Sequence, residues 1–241
     1  MNSDWLRPDW PAPASVRALS TTRHGGCSKG AWSSMNLGER CGDDPDDVRR
    51  NRERLARVLP AAPQWLSQVH GTRVARHPGE PGRAPEADAL VAFEPGRICA
   101  VLSADCLPVV FCDRDGSRVA VAHAGWRGLA GGVLQATLDA LDCDPATVIA
   151  WLGPAIGPEA YEVGAEVAAA FPDEFDRCFV PQGDRWLLDL YAVARLKLSA
   201  AGVPEVCGGG LCTWSDPGRF FSYRRDGLTG RMATLVWLEQ P

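Results

Sequence analysis

Seven short apolar runs, none longer than seven residues, recur along the whole chain, and a bundle of long amphipathic helices cannot be written in that pattern. The runs are Val16–Thr22, Trp65–Val69, Ile98–Ser103, Pro108–Cys112, Val119–His123, Val148–Leu152 and Met232–Leu238. Gly, Pro or Asp bounds them, as expected of buried strands. Helix signals lie between. Asp44-Pro45-Asp46-Asp47 reads as an N-cap, a first-turn proline and acids at the positive end of a dipole, opening a helix to Leu59. Further helices are expected over Gly128–Leu141, Glu162–Phe171 and Leu190–Ala201, the last stopped by Gly202. The interleaving predicts an α/β fold, a mixed sheet with flanking helices in one compact domain over residues 1–241. The Pro- and Gly-rich stretch from Pro78 to Pro85 reads as a surface loop, because strand-like sequence resumes directly after it.

Composition bounds the chemistry. The chain holds nine Cys but only four His, with Lys+Arg 25 against Asp+Glu 30. A mildly acidic balance without a basic run argues against a nucleic-acid binder. No apolar stretch approaches the roughly 18–20 residues needed to span a bilayer, so no membrane partner is expected. Met1-Asn2-Ser3-Asp4-Trp5 has neither the basic nor the apolar region of a secretory signal. An odd cysteine count fits reduced thiols in a cytoplasmic protein better than a disulfide framework. Four histidines cannot furnish the separate copper sites of a multicopper oxidase, although one metal site is within reach.

Several familiar motifs fail. Gly26-Cys27-Ser28-Lys29-Gly30 matches a nucleophile elbow, yet turn-rich sequence follows where that motif demands a helix. No dinucleotide, P-loop, zinc-knuckle or zincin pattern is present. Three segments share a design that survives. An apolar run leads to His70-Gly71, another to Asp105-Cys106-Leu107-Pro108, and a third to His123-Ala124-Gly125-Trp126-Arg127-Gly128. Each residue alone reads as a core histidine or a buried thiol. If the three strands are neighbours, His70, Cys106 and His123 meet at one rim of the sheet. They then form a three-ligand set with an open fourth position, the mark of a catalytic zinc site.

These segments carry a resemblance. Thr21-Thr22-Arg23-His24-Gly25-Gly26, Asn36-Leu37-Gly38, Gly42-Asp43-Asp44, Gln68-Val69-His70-Gly71, Ala104-Asp105-Cys106-Leu107-Pro108, His123-Ala124-Gly125-Trp126-Arg127-Gly128, Leu152-Gly153-Pro154-Ala155-Ile156-Gly157 and Phe221-Ser222-Tyr223-Arg224-Arg225-Asp226 occur in that order. In them the chain resembles the laccase-domain, or polyphenol-oxidase, family, whose members are regarded as zinc-dependent purine nucleoside phosphorylases. The resemblance implies a fold similar to cytotoxic-necrotizing-factor cysteine hydrolases, with zinc on His70, Cys106 and His123. It implies phosphorolysis of adenosine, inosine and methylthioadenosine to base and ribose 1-phosphate, together with adenosine deaminase activity. Purine nucleoside and phosphate would be the partners.

Within that reading, Arg127, Arg50 and Arg225 are candidates for phosphate, since a guanidinium makes planar bidentate contacts. Asn36 is a candidate for ribose hydroxyls or phosphate. Deamination needs an activated water and a carboxylate to move its proton, and Asp105 beside Cys106 is the first candidate. Two other chemistries stay open: a copper-dependent polyphenol oxidase, following the family's older name, and a metal-free hydrolase with Cys106 as nucleophile and His123 as base.

Overall fold

Phe111 and Val110 are neighbours in sequence, yet they lie in different cores, and that alternation organises the molecule. A computed structural model describes residues 4–79 and 84–239. At its centre β5 (Leu107–Asp113) pairs antiparallel with β6 (Val119–Ala124) and with β7 (Val148–Leu152). β3 (Ala89–Ala92) adds antiparallel to β6. β2 (Val74–Arg76) and β11 (Glu205–Gly208) add parallel at the two edges, giving the mixed order β11-β7-β5-β6-β3-β2. Val109, Phe111, Ala120, Ala122 and Leu152 face a helical layer. Val110, Cys112, Val121 and Ile149 face a second sheet, of order β1-β12-β4, formed by β1 (Val16–Ser20), β4 (Cys99–Ser103) and β12 (Met232–Leu238). Because both faces of the central sheet are covered, its strands read as unbroken apolar runs.

The helices depart from expectation in instructive ways. α1 (Pro45–Ala56) starts as predicted, the Asp44 carboxylate accepting the Asp46 N–H, but ends before Leu59. The helix expected over Gly128–Leu141 is two: α2 (Trp126–Gly131) and α3 (Val133–Leu141), broken where Gly132 adopts φ 96°. A left-handed residue cannot continue an α-helix, and glycine takes that conformation at little cost. Over Glu162–Phe171 the chain forms β8 (Glu162–Val163) and a single turn, α4 (Ala165–Ala168). β8 joins a small sheet of order β8-β10-β9 with β9 (Phe179–Gln182) and β10 (Arg185–Leu188). α5 (Leu190–Ala200) is capped by Asp189 and stops before Gly202 at φ 87°. α6 (Tyr223–Asp226) is one turn near the C-terminal end. Trp65–Val69 is not a strand. The Gln68 amide takes the place of a ladder, donating to the Leu102 carbonyl and accepting the Leu102 N–H at 2.8 and 2.7 Å. Residues 80–83 of the expected loop over Pro78–Pro85, and Met1–Ser3 of the N-terminal reading, lie outside the described residues. Among the described residues no helix is long and apolar enough to cross a membrane.

Candidate metal centre and active site

One end of the central sheet gathers the three residues. Leu107 lies opposite Ala124 and Pro108 opposite His123, so Cys106 sits just beyond the start of β5, beside Gly125. The approach is close: a Cβ on Gly125 would meet the Cys106 Sγ at 2.9 Å. Only His123 lies on a strand near its C-terminal end. Cys106 follows a turn that carries the chain from one sheet to the other, and His70 occupies a left-handed turn at φ 61°. His70 is exposed, Cys106 half-buried and His123 buried, and their ligand atoms all lie within 4.8 Å of one another. The two imidazoles meet edge-on, ring centroids 4.8 Å apart.

Asp88, fully buried just before β3, holds the cluster together. One carboxylate oxygen lies 2.9 Å from the His123 Nδ1 and accepts the His70 N–H at 2.9 Å. The other accepts the Val69 and Gly71 N–H groups at 3.2 and 2.7 Å. Burial opposes the Asp88 charge, but His123 and the Gly71 N–H outweigh it and hold the carboxyl below its ordinary range. With Nδ1 taken by a carboxylate, His123 keeps Nε2 for the cluster. Sequence reasoning missed Asp88. The available signal was an acid inside the apolar stretch Ala87-Asp88-Ala89-Leu90-Val91, where an unpartnered charge would be costly.

The electrostatics follow from these neighbours. Burial alone would raise the Cys106 thiol, but the charge of His123 and hydrogen bonds from His123 and His70 bring it down to about 6. Burial likewise disfavours a charged His123, yet Cys106 and Asp88 push it up to about 9. Tyr161 feels the same site: burial and the Cys106 charge raise its phenol, while Arg224 and Arg127 act against the rise. Its ring lies under the Arg224 guanidinium at 4.9 Å. Two imidazoles and a readily ionised thiol form a donor set suited to zinc or copper and unsuited to magnesium or calcium, which prefer oxygen.

The other expected site residues divide. Arg127 is exposed in the first turn of α2, stacked over Trp126 at 4.3 Å, with no hydrogen bond or ion pair among the described residues. Asp105 is corrected. It stands at φ 88°, and its oxygens accept the Thr213 hydroxyl and the Arg224 N–H, both at 2.6 Å. It ties down the C-terminal segment and has no free oxygen presented as a proton shuttle. Arg225 is corrected too: its N–H groups go to the Thr213, Trp214 and Phe220 carbonyls and to Asp226, leaving no fork for phosphate. Asn36 is fully buried and saturated. Its oxygen accepts the Gly38 and Arg231 N–H groups, and its nitrogen donates to Gly38, Cys41 and Asp43, so it fixes a turn rather than a substrate. Arg50, half-exposed on α1, is spent on Asp47. Ser28 of the rejected elbow donates to Asp43 and has no histidine partner among its hydrogen bonds.

The chain matches known proteins along nearly its whole length. The family model described as multi-copper polyphenol oxidoreductase laccase matches residues 17–239. Purine nucleoside phosphorylase PA4543 of Pseudomonas aeruginosa is 53% identical over 240 residues, covering 98% of each chain. Purine nucleoside phosphorylase YfiH of Escherichia coli is 50% identical, covering 98% of this chain and 99% of that one. Among solved structures, Neisseria meningitidis protein NMB0706 is 50% identical with a TM-score of 0.96, over 99% of this chain and 100% of that one. YlmD from Geobacillus stearothermophilus is 35% identical with a TM-score of 0.93, over 100% of this chain and 98% of that one. The chain belongs to the multi-copper polyphenol oxidoreductase laccase family.

Proposed function

We propose that this chain is a cytoplasmic, zinc-dependent purine nucleoside phosphorylase, acting on adenosine, inosine and methylthioadenosine, with adenosine deaminase activity in the same site. The observation that carries the reading is the convergence of His70, Cys106 and His123 within 4.8 Å, with an exposed residue on one side for a substrate to approach. The relatives' names support the phosphorylase reading, and the donor set supports zinc.

Phosphorolysis joins a phosphate oxygen to the ribose C1′ and breaks the bond to the purine nitrogen, so the electron pair leaves with the base. Arg127 is the residue we assign to phosphate, because it alone of the expected arginines has no hydrogen-bond or ion-pair partner among the described residues. His70, Cys106 and His123 would hold the metal, which supplies a Lewis-acidic centre. Asp88 keeps the His123 ring oriented, and burial, with the Cys106 charge, raises the Tyr161 phenol and keeps it neutral. Deamination in this site proceeds without Asp105 as proton carrier. Zinc is preferred to copper because Met35 and Met232 are packed in separate cores and supply no axial sulfur.

A second reading has one observation in its favour. The lowered Cys106 and raised His123 resemble the nucleophile and base of a metal-free amide hydrolase. The test is to measure metal content, then assay adenosine and inosine with and without phosphate, before and after chelation. Phosphate-dependent release of free base, lost on chelation and restored by zinc, is the expected result. Turnover that survives complete metal removal would transfer the assignment to the hydrolase.

A further inference from the structure

The hydrogen bonds of Asp88 fall on two separate pieces of chain, and those pieces bear the two histidines. On one side its carboxylate gathers three consecutive amides, Val69, His70 and Gly71. On the other it meets His123 Nδ1, while its own carbonyl accepts the His123 N–H at 2.7 Å. The segment around His70 is anchored at its two ends, by the Gln68 amide on Leu102 and by the Arg73 carbonyl on the Asp88 N–H, but among the described residues the three amides between those ends bond to Asp88 alone. The segment is an exposed turn, not a strand, and His70 adopts a left-handed conformation that a non-glycine residue keeps only when its surroundings impose it. Rotating Asp88 away would therefore release the turn and free the His123 ring together.

We propose that Asp88 is a positioning residue that couples the two histidines, so that the His70–Cys106–His123 site forms or fails as one unit. The proposal rests on the metal-centre reading above, but not on phosphorolysis. Asparagine is the same size as aspartate, yet it has one acceptor oxygen in place of two, and its NH2 group would face N–H donors. Asp88→Asn should thus lose the His123 contact or part of the amide cradle without opening a cavity.

The test measures Zn2+ and Co2+ affinity by competition with a chromophoric chelator, in the wild type, Asp88→Asn, His70→Ala and the double variant. Asp88→Asn is expected to weaken binding by about 10- to 100-fold, the range typical of outer residues that orient a ligand. Its Co2+ absorption spectrum should change as well. In the His70→Ala background the same substitution should cost several-fold less, because half of what Asp88 positions is already gone. An equal loss in both backgrounds overturns the coupling, and wild-type affinity in Asp88→Asn overturns the proposal whole.

Asp113→Asn is the matched control. Asp113 is also buried and also gathers consecutive amides, those of Ser117 and Arg118, away from the cluster. It should lower stability and leave metal affinity untouched; an equal loss of metal affinity there reduces the Asp88 effect to general destabilisation and overturns the proposal. If Asp88→Asn does not fold, amide hydrogen exchange on the wild type decides the matter. Val69, His70 and Gly71 should exchange slowly despite their exposed turn, and more slowly still with Zn2+ bound. Fast exchange indifferent to metal overturns the proposal. A wild type that takes up neither ion overturns it together with the zinc assignment. Absence of phosphorolysis with the coupling intact overturns only the proposed function.

Discussion

Two of the buried polar networks among the described residues differ in what they leave over. The first centres on Asn51 and Asn36. Asn51 donates to the Ser28 hydroxyl and to the Ser34 and Asn36 carbonyls, and accepts the Cys27 N–H. Asn36 and Ser28 then meet on the Asp43 carboxylate at 2.9 and 2.6 Å. In this network donors and acceptors end on one another. The second centres on Asp88, which is as fully engaged as Asn51. Its clients are different, because His70, Cys106 and His123 bring their ligand atoms within 4.8 Å of one another. A saturated network makes loops rigid, whereas a network that saturates only its supports presents reactive valence. Polar residue types alone do not separate the two. Unspent donor and acceptor capacity does.

The sharpest way to break the comparison is Cys106→Ala. It should abolish stoichiometric metal binding and reduce phosphorolysis by at least about 10³-fold, with thermal unfolding near that of the wild type. Retained activity would mean that the cluster is another structural network. Arg127→Ala should come next, raising the KM for phosphate by about 10- to 100-fold, as expected for the loss of charge-assisted bonds worth roughly 1.5–3 kcal/mol. Steady-state kinetics at fixed nucleoside would read it, and an unchanged KM would return the phosphate assignment to open search.

Asn36→Ala should act on the other network. Leaving buried partners unsatisfied should cost about 1–3 kcal/mol in urea denaturation, with kcat/KM per folded molecule unchanged. Loss of activity at full stability would place Asn36 back in the substrate site.

A smaller effect sharpens the comparison through the thiols. In the metal-free protein, iodoacetamide should react with Cys106 at a rate that climbs through pH 6 and levels off above it, because the thiolate is the nucleophile and its pKa is about 6. Cys112, pushed up to about 12 by burial first and by Asp113 next, should stay inert at pH 8. Peptide mapping after alkylation distinguishes them. Arg50→Ala, finally, should leave both stability and turnover unchanged, its ion pair with Asp47 lying half in solvent.

How much of this could be read in the sequence depended on where each partner lies. β12 occurs over Met232–Leu238 as expected because it is buried on both faces, and a doubly buried strand leaves a continuous apolar run. The small sheet of β8, β9 and β10 left no such trace. Glu162, Pro181 and Arg185 belong to it, and its exposed positions mix Val180 with Gln182 and Arg185, so no apolar run marks it. The three candidate ligands were legible because each closes or follows an apolar run near Gly or Pro, and because the resemblance named them. Arg225 could not be judged from its motif. The carbonyls that consume it belong to Thr213, Trp214 and Phe220, which only tertiary folding brings within reach. Asp88 needed the pairing of β3 with β6 before its place opposite His123 existed.

The decline in burial from His123 through Cys106 to His70 also has a kinetic meaning. With an ion bound as proposed, a chelator or an incoming ligand would meet the exposed imidazole first, so exchange would start from one side. The two inner donors would then govern how long the ion stays, and the turn at residue 70 how often it begins to leave. Affinity and residence time would thereby be carried by different residues of the same three.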